Sequence, residues 1–271
     1  MLYIGIDLGT SACKFLLTDE KGSILNIVSE EYPLEFPQPG WSQQNPEDWW
    51  SAVVKGIPKL LDGFDAGKVA GIGCGGQMHG LVVLDDKDEV IRPAILWNDG
   101  RTQDQTEYLN NEIGREFLSN HTANIAFAGF TAPKLLWMKE KEPELFGRIA
   151  KIMLPKDFIN YKLTGCHCTD YSDAGGMLLR DVAHKRWSAP MLKLCGISEE
   201  QMPRLHASWE CVGTLTQKAT DALGLTTSVK ACARALTSVK ETTVPAPALM
   251  DAYEAKYQVW KKLYPALKGI L

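Results

Sequence analysis

A compact set of polar groups follows the first apolar run of the chain, in the segment Asp7-Leu8-Gly9-Thr10-Ser11. Glycine lets the backbone approach an anion closely and the two hydroxyls add hydrogen-bond donors, so this turn suits a phosphate group. The Asp7 carboxylate would repel a bare phosphate, and it fits only beside a bridging Mg²⁺ or a water molecule bound to one. The alternative is a hairpin turn in which the aspartate only caps the strand.

A second candidate group, Gln77, Met78 and His79, follows the glycine-rich stretch 71–76. An imidazole can hydrogen-bond a hydroxyl and a thioether can lie against a carbon face, which together suit a polyol. The glycines also satisfy the dinucleotide pattern G-x-G-x-x-G, but residues 81–84 are strand-like where that site needs a helix. We therefore disfavour a nicotinamide cofactor. The alternative to a ligand contact is a core histidine with one ring nitrogen satisfied.

Two further polar segments, 97–101 and 169–176, have similar potential. The first, W-N-D-G-R, places an indole, an amide, a carboxylate and a guanidinium in five positions, a composition suited to a ligand with many hydroxyls. A solvated loop with an Asp/Arg ion pair would have the same composition. The second, T-D-Y-S-D-A-G-G, ends in glycines and is also compatible with an N-capped turn that has no further role.

Composition and charge exclude several classes of protein. The chain has 271 residues, a net charge of −4 and no long basic block, which argues against binding to nucleic acid or to an anionic membrane. No apolar stretch approaches the roughly 20 residues of a membrane-spanning helix, and no signal peptide pattern is visible. The seven scattered cysteines suit a reducing compartment. We therefore predict a cytoplasmic protein with a small-molecule partner.

Common metal and catalytic signatures are missing from the sequence. The Cys166-His167-Cys168 segment lacks a second pair at zinc-finger spacing, so zinc is disfavoured. Walker A, H-E-x-x-H and G-x-S-x-G patterns do not occur.

The elements that must position the candidate residues are predicted to be a mixture of strands and helices, which gives an α/β fold. Apolar runs at 2–8, 15–17 and 24–28, with a turn at 19–22, favour antiparallel hairpins. Asn45 and Pro46 begin a helix whose apolar residues recur on one face through Leu61. Further predicted elements are strands at 69–72, 81–84 and around Val90, and helices at 102–113, 134–141 and 157–163, the last ending at Gly165.

Taken in order, four segments resemble the FGGY family of carbohydrate kinases, and within it the xylulokinases: 7–14 (D-L-G-T-S-A-C-K), 76–80 (G-Q-M-H-G), 97–101 and 169–176. The likeness covers about residues 1–228. It implies an actin-like, ribonuclease-H-like fold, in which residues 1–228 form a single N-terminal-type, sugar-binding domain. In the family, the sugar and Mg-ATP meet between two similar halves.

The resemblance also implies roles for individual residues. Asp7 is expected on the phosphate side, in indirect contact with Mg²⁺. The residues expected at the ATP phosphates are Gly9, Thr10, Ser11 and Lys14, and those expected at the sugar are Gln77, Met78, His79, Asn98, Asp99 and Arg101. The implied activity is transfer of the ATP γ-phosphate to D-xylulose to give D-xylulose 5-phosphate, which requires positioning, charge neutralisation and a base.

The sequence departs from the family after Gly224-Leu225. The family has its base aspartate in a glycine-rich segment soon afterwards, whereas residues 228–235 contain neither carboxylate nor glycine. We interpret 229–247 as a linker or deletion junction and 248–271 as a C-terminal helix that resembles the last helix of xylulokinases. The ATP-binding half is then largely missing, and the chain alone is expected to bind pentulose weakly or not at all and not to turn over.

Two other functions stay open at this point. One is a related kinase of another polyol, such as glycerol or gluconate. The other is a non-catalytic sugar-binding remnant. Separately, the missing half is expected to leave an apolar inter-domain face uncovered, and this face is expected to cause self-association.

Overall fold

Four strands form the main sheet of the computed structural model, which describes residues 1–225. Their order is β3-β2-β1-β5, and β1 is antiparallel to β2 and parallel to β5. The two hairpins predicted for the first thirty residues are confirmed. The strands are β1 (Leu2–Leu8), β2 (Ala12–Asp19), β3 (Ile24–Glu31), β4 (Gln43–Gln44), β5 (Val69–Gly76), β6 (Val82–Leu84), β7 (Ala94–Ile95), β8 (Lys151–Met153), β9 (Cys168–Asp170), β10 (Arg180–Asp181), β11 (Arg186–Trp187) and β12 (Arg204–His206).

Helices pack around these strands and complete the α/β fold that the sequence predicts. They are α1 (Pro46–Leu60), α2 (Gln103–Glu107), α3 (Arg115–Thr122), α4 (Thr131–Lys141), α5 (Pro143–Phe146), α6 (Pro155–Thr164), α7 (Tyr171–Gly175), α8 (Ala189–Cys195) and α9 (Gln217–Leu223). A π-helical segment, Tyr108–Gly114, joins α2 to α3.

Helix α1 shows how local sequence and packing agree. The Asn45 side chain accepts a hydrogen bond from the Glu47 amide, and Pro46 occupies the first turn, as predicted. The buried face of α1 packs against β2 and β3. The approach is so close that a Cβ on Gly56 would lie 2.2 Å from Cε2 of Phe15. Glycine is therefore required where the helix crosses the sheet.

Other predictions differ from the structure in extent. The helix predicted over 102–113 changes to π-helical geometry at Tyr108, and α3 was not predicted. Val90 forms only an isolated bridge to Leu84, because Asp85 accepts hydrogen bonds from two following amides and closes a tight turn. The helix predicted over 157–163 is confirmed, and it ends at Gly165 with φ of 71°.

The sheet topology brings the ends of two distant strands together. Because β1 and β5 are parallel, their C-terminal residues Leu8 and Gly76 lie side by side. The turn after β1 and the loop after β5 therefore meet at one edge of the sheet. One apolar core lies between the sheet and α1, and a second surrounds β6, β8 and α4.

Two sequence predictions concern metal and membrane binding. Within residues 1–225, no group of three or more His, Cys, Asp or Glu side chains is arranged to hold a metal ion. In the same part of the chain, no helix is long and apolar enough to cross a membrane. The predicted junction at 229–247 and the predicted helix at 248–271 lie outside the described residues.

Candidate functional site

The turn after β1 and the loop after β5 are joined by hydrogen bonds. The Gln77 amide donates to the Leu8 carbonyl at 2.7 Å, and Nε2 of Gln77 donates to the Gly9 carbonyl at 3.4 Å. Gly76 has φ of 142°, and a Cβ there would lie 2.4 Å from the Leu8 oxygen, so only glycine fits. This contact fixes the predicted phosphate turn beside the predicted sugar loop.

The segment 97–101 reaches the same edge of the sheet. Nε1 of Trp97 donates a hydrogen bond to Oγ1 of Thr10 at 3.1 Å. On its other side, Trp97 is packed so tightly against Gly129 that a Cβ on Gly129 would lie 2.7 Å from the Trp97 carbonyl oxygen. Asn98 is exposed at this position. The three polar segments that the sequence singles out first therefore lie together.

His79 is held in one orientation at this edge. Its Nδ1 lies 3.0 Å from the carbonyl oxygen of Gly176, and its ring stacks on Phe130 with centroids 4.9 Å apart. Its backbone has φ of 67°, an uncommon conformation for a residue with a side chain, which often marks functional sites. Burial lowers the pKa of the imidazole, and nearby Lys134 acts in the same direction, while the bond to Gly176 opposes them. Burial and Lys134 therefore favour the neutral form of the ring.

Gln77 and Met78 precede His79 in the same loop. Gln77 is buried, and its Oε1 has no hydrogen-bond partner among residues 1–225, although Nε2 is bonded to Gln44 and Gly9. The half-buried Met78 extends its Cε towards Gly176. The loop therefore contains a buried amide oxygen without a partner among residues 1–225, and a thioether that shares the neighbour Gly176 with the imidazole.

Asp99 and Arg101 form a buried ion pair. Both side chains are fully buried, and Nη2 of Arg101 lies 2.8 Å from Oδ2 of Asp99. The Arg101 guanidinium also lies over the Trp41 ring, 3.9 Å from its centroid, and Asp99 accepts a hydrogen bond from the Ser42 amide. Nε and Nη2 of Arg101 bond to the protein, whereas its buried Nη1 has no partner among residues 1–225. The pair fixes the loop that carries Trp97 and Asn98.

Asp7 and Lys14 present opposite charges beside the turn. The two residues are paired in the β1–β2 register, and both are exposed. On the other side of Asp7 lies Gly75, where a Cβ would meet nothing within 4 Å. An exposed carboxylate, an exposed ammonium group and the nearby Ser11 hydroxyl have the chemistry that a metal-bound phosphate requires. The residues at this turn fit the phosphate part of a nucleotide with its Mg²⁺.

A buried lysine on α6 forms a charge cluster that no sequence motif indicates. Nζ of Lys156 lies 2.8 Å from Asp157, 2.7 Å from Asp170 and 3.2 Å from Asp173. Burial alone would lower the pKa of Lys156, but the three carboxylates outweigh burial and raise it. Burial raises the pKa of Asp157 and of Asp173, whereas Lys156 overcomes burial at Asp170 and lowers its pKa.

This cluster lines a cleft of about 330 Å³ along the end of β5. The lining includes Gly73–Gly76, Lys156, Asp170 and Asp173, rather than the residues at 77–79 or 97–101. Within the predicted polar segment 169–176, Asp170 caps α7 and Gly176 reaches His79. One sequence feature could have indicated this cluster. Lys156 and Asp157 are a pair of opposite charges in the first turn of α6, three to four residues after β8.

A family model matches most of the chain. The model for the N-terminal domain of the FGGY family of carbohydrate kinases matches residues 2–236. Curated relatives include the xylulose kinases of Escherichia coli strain K12 and Bacillus subtilis strain 168, both 42% identical, over 226 and 229 residues. These matches cover 83% and 84% of this chain and 46% of each relative. The chain therefore spans about half the length of the curated relatives it matches.

Solved structures show the same fold. The structure described as a xyloylose kinase from Brucella ovis matches with a TM-score of 0.82 at 39% identity, covering 86% of this chain and 48% of that one. A gluconate kinase from Lactobacillus acidophilus matches with a TM-score of 0.81 at 28% identity, covering 86% and 47%. These matches confirm the actin-like, ribonuclease-H-like fold class. With the family model spanning residues 2–236, the chain belongs to the FGGY family of carbohydrate kinases.

Proposed function

We propose that this chain carries the sugar-binding half of a kinase that phosphorylates D-xylulose to D-xylulose 5-phosphate. The observation that carries the proposal is the meeting of three loops at one sheet edge, where Gln77 bonds to Gly9 and Trp97 bonds to Thr10. A sugar in the 77–79 loop then lies next to the turn that suits phosphate. The 42% identity to curated xylulose kinases supports D-xylulose as the sugar.

The sugar contacts follow from the chemistry of each side chain. Nε2 of His79 is the acceptor for a substrate hydroxyl, and Met78 lies against the carbon skeleton. Oε1 of Gln77 is buried and lacks a partner among residues 1–225, and a second hydroxyl that reaches it would supply one. Asn98 is exposed and offers both an amide donor and a carbonyl acceptor. Asp99 and Arg101 support this site by fixing the loop, because both side chains are fully buried and bond to each other and to the Ser42 amide.

The phosphate side is assigned to the turn after β1. Asp7 would hold Mg²⁺ indirectly, and Gly9, Thr10, Ser11 and Lys14 would bind the ATP phosphates. Oγ1 of Thr10 accepts from Trp97, so its own proton remains available to donate to an oxyanion. Kinases of this family use ATP with a divalent metal, which neutralises phosphate charge when bound.

The isolated 271-residue chain is proposed to bind D-xylulose weakly and not to phosphorylate it. The segment 228–235 lacks the carboxylate that the family uses as base. Loss of a general base costs about 10²–10⁴ in rate, and poor positioning of ATP lowers the rate further. We further propose that the protein is cytoplasmic and that it self-associates through an uncovered apolar face.

The proposal is tested with a ligand panel on the purified chain. Isothermal titration with D-xylulose, D-gluconate and glycerol is expected to show weak binding that is strongest for D-xylulose and lost in His79→Ala. A coupled assay with Mg-ATP is expected to release no D-xylulose-dependent ADP. If D-gluconate binds most strongly, the result favours a gluconate kinase, a function that the similarity to the gluconate kinase structure also suggests. Normal D-xylulose-dependent turnover contradicts the proposed inactivity, and a clean monomer by light scattering contradicts self-association.

A further inference from the structure

Helix α7 is tied to the start of α6 by the buried Lys156. The Lys156 ammonium group lies 2.7 Å from Asp170, which caps the N-terminus of α7. It also lies 3.2 Å from Asp173, in the first turn of the same helix. Only 7% of the lysine side chain is exposed, so these ion pairs are well shielded from solvent. Shielded ion pairs with several partners fix geometry more firmly than exposed ones. The short helix is therefore anchored at its first turn.

Gly176, the first residue after α7, is the hydrogen-bond partner of His79. The Gly176 amide donates to the Asp173 carbonyl at 3.0 Å, and the Gly176 carbonyl lies 3.0 Å from Nδ1 of His79. A carbonyl oxygen can only accept, so Nδ1 must carry the proton. In a neutral imidazole Nε2 is then an acceptor, and it makes no hydrogen bond within the described part of the chain.

The contact between Gly176 and His79 is also steric. A Cβ on Gly176 would lie 2.2 Å from Cε1 of His79, far inside van der Waals contact. The neighbouring Gly175 differs, because the nearest atom to a Cβ there is Nη1 of Arg180 at 3.9 Å. The backbone of Gly176 has φ of −83°, which alanine also adopts. The glycine is thus needed for the imidazole and not for the helix.

We propose that α7 is a positioning element for His79, in which Lys156 anchors the helix through Asp170 and Asp173 and the Gly176 carbonyl holds His79 as the Nδ1–H tautomer. Nε2 is thereby presented to the substrate as a hydrogen-bond acceptor, which selects a hydroxyl donor. Lys156 and Gly176 are positioning residues, since they act through His79. The inference rests on the proposed function only where it makes His79 a contact of the sugar.

The tautomer is measured by long-range ¹H–¹⁵N NMR on the full chain, with the His79 signals identified by their loss in His79→Gln. The wild type is expected to show the Nδ1–H tautomer without any sugar present. Gly176→Ala is expected to lose this tautomer, and the matched variant Gly175→Ala is expected to keep it. A wild-type imidazole protonated at Nε2, or an unchanged tautomer in Gly176→Ala, overturns the proposal.

The anchor is tested separately with Asp173→Asn. This variant is expected to reduce the Nδ1–H population of His79, whereas Asp181→Asn, which alters the two ion pairs of Asp181 with His184 and Arg186, leaves it unchanged. A folded Asp173→Asn with a wild-type His79 spectrum overturns the anchoring role.

Where Gly176→Ala fails to fold, the double variant with His79→Ala removes the clashing ring. Recovery of folding supports the contact, and continued failure overturns it.

Addition of D-xylulose separates this inference from the proposed function. If the tautomer responds as expected but the sugar leaves the His79 signals unchanged, the positioning role stands and the assignment of the sugar site fails. If the sugar shifts the His79 signals but Gly176→Ala binds the sugar as tightly as the wild type does, the assignment of the sugar site stands and the positioning role fails. The expected weakening in Gly176→Ala is about tenfold, the effect of losing one hydrogen bond.

Discussion

The indole N–H of Trp97 donates a hydrogen bond to the hydroxyl of Thr10 across 3.1 Å, although the two residues are 87 positions apart in the sequence. This bond connects the loop assigned to the sugar with the turn assigned to phosphate. Trp97 is 48% exposed, so the bond lies at the surface and contributes modestly to stability. Its main effect is to hold two loops in a fixed relation.

Replacement of Trp97 by phenylalanine tests this connection. The variant keeps an aromatic ring but loses the N–H donor, so the free energy of unfolding is expected to fall by no more than about 1 kcal/mol. Amide hydrogen exchange of residues 9–11 is expected to become faster, because the turn loses a tie to its neighbour. Trp209→Phe, at another exposed tryptophan, is the control. Equal exchange rates in both variants would argue against the connection.

The buried Asp99–Arg101 pair gives a larger expected effect. Asp99→Asn leaves the guanidinium of Arg101 in a fully buried position without a charged partner, and the free energy of unfolding is expected to fall by about 3–5 kcal/mol. The matched control is Glu30→Gln, which breaks the pair with Lys59, a side chain that is 60% exposed. That control is expected to cost less than about 1 kcal/mol. Denaturant unfolding of both variants checks the contrast, and similar costs would contradict the assigned burial.

The crossing of α1 over the sheet predicts a reversal of the usual effect of alanine. Inside a helix, alanine is ordinarily about 1 kcal/mol more favourable than glycine. In Gly56→Ala the new methyl would lie 2.2 Å from Cε2 of Phe15, and overpacking costs about 1–3 kcal/mol. We expect Gly56→Ala to lower the midpoint of thermal unfolding. A raised midpoint would show that α1 and β2 are farther apart than described.

The half-buried His167 predicts how stability depends on pH. Its Nε2 lies 2.8 Å from the Ile152 carbonyl oxygen, and burial lowers the pKa of the ring, although this hydrogen bond opposes the shift. As pH falls through about 6.5, the unfolded chain takes up the proton first, so the free energy of unfolding decreases. The decrease continues until the folded ring is also protonated.

The contribution of His167 is isolated by comparison with His167→Gln, which cannot titrate. The stability difference between the two proteins is expected to be largest above about pH 7 and to narrow on acidification. Denaturant unfolding at a series of pH values measures this difference. A gap that stays constant or widens at low pH would contradict the direction of the shift.

Local signals predicted much of the first half of the fold. The apolar run at β1, the Asn45-Pro46 start of α1 and the end of α6 at Gly165 each depend on residues close in sequence. The parallel pairing of β1 with β5 and the three-residue strand β8 depend on distant partners, and no local pattern specified them. The π-helical stretch after Tyr108 likewise carries no distinct sequence signal.

The candidate site shows the same division between local and distant information. Residue types at 7–11, 77–79 and 97–101 indicated polyol and phosphate chemistry. The buried state of Asp99 and Arg101 was not predictable, because an Asp/Arg loop has the same composition in solvent and in a core. Lys156 was missed for a related reason: its partners Asp170 and Asp173 come from another element, and an isolated Lys-Asp pair usually lies at the surface.

The central claim is that the loops at 9–11, 77–79 and 97–101 form one sugar and phosphate site, and a residue-resolved NMR titration of the full chain with D-xylulose tests it most directly. We predict that backbone amide signals of residues 77–79 and 97–101 shift together along one binding curve, with smaller shifts at the neighbouring 9–11 turn. Shifts confined to the cleft around Lys156, separate curves for the two loops, or no shifts at all would contradict the claim.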